Sequence, residues 1–111
     1  MSNLLKETQV LMQAASKTEE DILFIGNLFH GTSCDWGKFK ELADIEYDSG
    51  YGGHEIDLGL VIIFKDLSRL YREEYDGSEW WNYQPAFKLP EETKELTTVK
   101  YDWKEDAVHE S

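Results

Sequence analysis

The chain has 111 residues, 41% hydrophobic and 14% aromatic, which suits one packed domain and is too apolar for a disordered polymer. Its 23 Asp and Glu against 11 Lys and Arg leave a formal charge of −12, which repels phosphate backbones and anionic lipid and argues against direct nucleic-acid binding. Cys34 is the single cysteine, so no internal disulfide can form, and a reducing cytoplasmic setting is expected.

In chain order, Ser2 to Ser16 places Leu4, Leu5, Leu11, Met12 and Ala15 at helical spacings among good helix formers, predicting a first helix. Met1 to Glu7 lacks the basic region followed by an apolar stretch of a secretory signal. Ile22 to Ile25 is a short apolar run read as a buried strand. After Gly31, Ser33 or Asp35 can cap a second helix whose inner stripe is Trp36, Phe39, Leu42 or Ala43, and Tyr47. That helix is expected to end at Ser49-Gly50-Tyr51-Gly52-Gly53, a loop rich in glycine. Leu60 to Phe64 is apolar on both faces and β-branched, as a central strand is. The longest apolar run, Leu58 to Phe64, falls far short of the roughly 20 residues that cross a bilayer, so no membrane helix is expected.

Lys65 to Ser68 can turn the chain into a strand from Arg69 to Tyr75, and Asp76-Gly77 is the dipeptide suited to a type I′ hairpin leading into Glu79 to Tyr83. A two-residue turn fixes the register: Tyr75 faces Ser78, Glu74 faces Glu79, Glu73 faces Trp80, Arg72 faces Trp81, Tyr71 faces Asn82 and Leu70 faces Tyr83. One face then carries Leu70, Arg72, Trp81 and Tyr83 together with Glu74 opposite Glu79, a like-charge pair that needs water or a cation. Trp80 and Trp81 point to opposite faces, one inward and one available to a partner. Leu96 to Tyr101 reads as a fourth strand or a packed tail, and fraying is expected from about residue 104. The expected architecture is a single α+β domain over residues 1–111. Two helices pack on a small antiparallel sheet of three to four strands, a β-meander with the Asp-Gly hairpin.

Few constellations carry chemistry. Asp44, Glu46, Asp48 and Glu55 stand at positions 1, 3, 5 and 12 of a calcium-loop spacing. Ser49 occupies the position that needs Gly, however, and a strand follows where a helix should. Asp44 and Asp48, with Glu41 beside them, would have to be buried to divide acid and base roles, and otherwise form a solvated acidic face. His30, Cys34 and His54 do not make a zinc spacing, and nothing beside Cys34 supplies a base, so neither a cofactor nor catalysis is expected.

The strings Tyr47-Asp48-Ser49-Gly50-Tyr51-Gly52 and Glu74-Tyr75-Asp76-Gly77-Ser78-Glu79-Trp80-Trp81 resemble small acidic accessory proteins of bacteriophages and prophages, over residues 19 to 90. The resemblance implies an accessory role in which an acidic protein occupies the basic surface of a host enzyme, and it transfers no catalytic residue. The charge is uneven: residues 1–40 carry −1, residues 41–79 carry −8 and residues 80–111 carry −3. The expected function is a non-catalytic inhibitor that meets a basic, nucleic-acid-binding protein through Glu41, Asp44, Asp48, Glu73, Glu74, Asp76, Glu79 and Trp81. The alternatives are an assembly component that homo-oligomerises through an aromatic sheet face and a small calcium-binding module.

Overall fold

The computed structural model describes residues 2–50 and 55–101. The chain opens with β1 (Ser2–Asn3) and α1 (Leu4–Ala14). Asn3 caps α1 by accepting from the Lys6 N–H at 3.0 Å, and Leu4, Thr8 and Met12, four residues apart, form its buried stripe. Thr18 and Asp21 close a short 3-10 turn, the Thr18 N–H donating to the Asp21 carboxylate at 2.8 Å, before β2 (Ile22–Asn27). A tight loop leads to β3 (Thr32–Ser33), and Asp35 then caps α2 (Trp36–Ala43), accepting from the Lys38 N–H at 2.8 Å. After β4 (Glu46–Tyr47) come β5 (Leu60–Phe64), β6 (Arg69–Tyr75) and β7 (Ser78–Gln84).

The fold is α+β, with a five-stranded antiparallel sheet in the order β3-β2-β5-β6-β7 and a second sheet made by β1 and β4. β5 is the central strand, as its apolar run predicts. The expected hairpin register forms in full, from Tyr75↔Ser78 to Leu70↔Tyr83, and extends to Arg69↔Gln84. Asp76 and Gly77 both have positive φ, 52° and 83°, as a type I′ turn requires. Strand pairing places Ile25, Ile62, Leu70 and Trp81 on one face, which both helices cover through Leu4, Met12, Phe39 and Ala43. Phe24, Val61, Ile63, Tyr71 and Trp80 fall on the other face. Close approach of β2 and β3 explains Gly26, where a Cβ would meet the Thr32 carbonyl oxygen at 1.9 Å.

The structure corrects several expectations. The sheet has five strands rather than three to four, because Thr32–Ser33 adds an edge too short and too exposed to show a period. α2 stops at Ala43, since Asp44 leaves helical geometry (ψ 65°) and the chain turns to pair β4 with β1. Tyr47 still enters the core, from a strand, and Ala43 is buried where Leu42 is exposed. Leu96 to Tyr101 is neither strand nor packed tail: it is irregular and exposed. Residues 51–53 of the glycine loop, and the tail from residue 104, lie outside the described residues. No helix among the described residues is long and apolar enough to cross a membrane.

Candidate functional site

The acidic segment after α2 and the tip of the β6–β7 hairpin meet. The Glu79 N–H donates to the Ser49 carbonyl at 2.9 Å, and the Ser78 hydroxyl donates to the Gly50 carbonyl at 3.3 Å. Ser49 is also held from the other side, its Oγ lying 3.0 Å from that of Ser2. Asp48 therefore stands beside the tip that carries Glu73, Glu74 and Asp76, and all four are exposed. A shallow depression of about 430 Å³ lies at the tip, lined by Gly50, Tyr75, Asp76, Ser78 and Trp80. Asp44 lies before β4 and accepts from Asn3 Nδ2 at 3.1 Å. Glu41 sits on α2, which packs over the β2–β5 end of the sheet, with the Lys38 ammonium 3.7 Å away.

Glu79 and Trp81, expected at the partner surface, are inside, at 2% and 6% exposure. Trp80 is the half-buried one of the pair, on the face away from the helices. Glu79 pairs with Arg72 at 2.9 Å, both side chains fully buried. Its carboxylate also accepts from the backbone N–H groups of Glu55 and Ile56. The Arg72 guanidinium lies between two rings, 5.5 Å from the centre of Tyr47 and 5.1 Å from that of Trp81. It donates to the Tyr47 hydroxyl at 3.2 Å, while that hydroxyl donates to Glu7 on α1. Burial, reinforced by the Glu7 bond, raises the Tyr47 phenol to about 12. Trp81 Nε1 donates to Thr8 Oγ1 at 2.9 Å, and Thr8 passes a bond to the Leu4 carbonyl at 2.7 Å. One polar network thus joins α1, β4, β6, β7 and the segment that follows the glycine loop.

This network resolves the like-charge pair. Arg72 lies two residues from Glu74 along β6, on the same face as Glu79, and neutralises Glu79 inside while Glu74 stays in water. With Arg72 turned inward, the strand ends around Asp76 present carboxylates outward.

The calcium-loop spacing is used for turns. Asp48 accepts from the Gly50 N–H at 3.0 Å, Glu55 accepts from the Asp48 N–H, and Glu46 pairs with Asn3 in β1. Among the described residues no group of three or more His, Cys, Asp or Glu is placed to hold a metal. Burial raises the Cys34 thiol, which lowers its thiolate fraction and its reactivity. His30 is exposed, and His54 lies outside the described residues.

The chain matches no protein-family model, and comparison with curated proteins and with solved structures finds no match to it. The site is therefore read from its own geometry. What sequence reasoning missed is the Arg72–Glu79 pair. Its signal was present in the hairpin register, which puts both residues on one face one pair apart.

Proposed function

We propose that the protein is a non-catalytic interaction protein whose acidic edge occupies the basic surface of a nucleic-acid-binding protein, as a phage-encoded inhibitor would. The observation that supports this reading is the junction of the hairpin tip with Ser49 and Gly50, which brings the segment carrying Asp48 against the strand ends that carry the exposed Glu73, Glu74 and Asp76. Arg72, the nearest cation on β6, is withdrawn into the core by Glu79. Tyr75, 75% exposed, and the half-buried Trp80 stand within this edge and supply the aromatic contact that protein interfaces concentrate. Carboxylates at such an edge mimic the charge of a phosphate backbone and steer association with a basic groove. The resemblance to phage accessory proteins supplies the setting, a host enzyme in the cytoplasm.

The test is titration of the purified partner at rising salt, with duplex DNA as competitor. Affinity that falls steeply with ionic strength, and DNA that displaces the protein, support the reading. Affinity indifferent to salt, or a partner that binds DNA and this protein together, overturns it.

A further inference from the structure

The turn between β2 and β3 presents apolar side chains to water on a fixed backbone. Phe29 is 93% exposed and Leu28 61%. Asn27, buried at the end of β2, accepts through its side-chain oxygen from the Phe29 N–H at 2.9 Å and the His30 N–H at 3.1 Å. Its Nδ2 donates to Asp57 at 2.9 Å, and Asp57 accepts from the Gly59 N–H at 2.9 Å, so the turn before β5 braces the turn after β2. An aromatic ring held out in this way enters a partner's pocket with little loss of backbone freedom, as an interface anchor does. Strand register puts the turn at the same end of the sheet as the β6–β7 tip: Asn27 pairs with Leu60 at the start of β5, and β6 runs from Tyr71, opposite Val61, on to Tyr75. With neighbouring strands about 4.8 Å apart, two to three spacings separate turn and tip, well within one standard interface.

We infer that Phe29, with Leu28 beside it, is the apolar anchor of the acidic interface, and that the basic partner receives it in an apolar pocket bordered by Lys or Arg. This contact rests on the acidic-edge reading and adds a feature that the partner must have. Charge selects the occupant. The described residues that meet at this end, 28–31, 48–50, 55–59 and 73–78, carry Asp48, Glu55, Asp57, Glu73, Glu74 and Asp76 and no Lys or Arg. A second copy docking here would set the same carboxylates against these, and an anionic bilayer repels them. A pocket rimmed by cations suits both the ring and its acidic surround.

The test uses the basic protein that the full chain retains from host lysate, purified and titrated at several salt concentrations. The titrants are the parent, Phe29→Ser, Phe29→Leu, and the variant with amides at Asp48, Glu73, Glu74 and Asp76. Phe87→Ser is the control, an equally exposed ring (85%) in the irregular segment after β7. Phe29→Ser should bind about tenfold or more weakly with an unchanged salt dependence, Phe29→Leu should lose less, and Phe87→Ser should match the parent. The amide variant should lose both affinity and salt dependence. If Phe29→Ser binds like the parent while the amide variant fails, the anchor is wrong and the acidic edge stands. If the amide variant binds like the parent, or no basic protein is retained, the acidic-edge reading falls and the anchor with it. Equal losses in Phe29→Ser and Phe87→Ser overturn the anchor, since the contact then has no specific pocket. Self-association of the parent, or its binding to phosphatidylglycerol vesicles, that Phe29→Ser abolishes also overturns it, because a second copy or a membrane is then the occupant.

Discussion

Replacing Glu79 by Gln keeps its shape and removes its charge, leaving the Arg72 guanidinium buried without its counter-ion. Both side chains are fully buried, and the same carboxylate holds the N–H groups of Glu55 and Ile56, so water cannot take over the lost role without opening the core. Breaking one partner of a buried pair costs about 3–5 kcal/mol, a large part of the roughly 5–15 kcal/mol that holds a domain together. For a folded body of this size that corresponds to about 12 °C or more in Tm. Glu74→Gln is the internal control: Glu74 faces Glu79 across the hairpin but is exposed, so its loss should change stability by no more than about 0.5 kcal/mol. Urea denaturation of the two variants beside the parent measures both. The joint variant Arg72→Met/Glu79→Gln should recover part of what Glu79→Gln loses, because it removes the unpaired buried cation while the Gln carbonyl oxygen still offers an acceptor to the Glu55 and Ile56 N–H groups. If Glu79→Gln costs no more than Glu74→Gln, the carboxylate is solvated and the buried network is wrong.

Two further outcomes follow from the same packing. The Tyr47 phenol is raised to about 12 by burial and by its bond to Glu7, so its protonated form is favoured by folding. The stability it contributes is complete below about pH 10, the ordinary phenol value, and is lost as pH rises through the folded value. The ultraviolet titration difference between the parent and Tyr47→Phe should therefore show one phenol ionising well after the rest, and a difference centred near pH 10 would refute the burial. Gly26→Ala places a Cβ against the Thr32 carbonyl oxygen and Ser33 Cα, so β3 must separate from β2. Overpacking of this kind costs about 1–3 kcal/mol, and hydrogen exchange should quicken at the Cys34 amide, which bonds to the Ile25 carbonyl at 3.0 Å; unchanged exchange there would contradict the close approach.

Much of the fold was legible because local chemistry decided it. Asp76-Gly77 determined a turn, the turn determined a register, and every expected pair of the hairpin is present. Leu60 to Phe64 read as central because a β-branched run apolar on both faces suits the interior of a sheet, and β5 lies between β2 and β6. Elements of two residues could not be read: β1 and β4 exist through pairing with each other across the two helices, β3 through a short hairpin with β2, and none has a period of its own. Leu96 to Tyr101 has β propensity but pairs with no strand, although β7 is an edge of the sheet. At the site, the acidic segment and the tip were visible in the charge distribution. The burial of Glu79 and Trp81 was not, because it depends on α1 and the segment after the glycine loop covering that end of the sheet. Helix periodicity also carried α2 too far, since Tyr47 faces inward from a strand that begins two residues after the helix cap.

The claim that matters most is that the edge, rather than net charge alone, recognises the partner. Two variants of equal charge separate these. One replaces Asp48, Glu73, Glu74 and Asp76 with the matching amides; the other makes the same change at the exposed Glu19, Glu20, Glu91 and Glu92, away from the hairpin tip. Affinity capture from host lysate, with the bound basic protein quantified at fixed salt, should show the edge variant losing its partner while the other variant keeps it. Equal loss in both, or retention by the edge variant, would contradict the account.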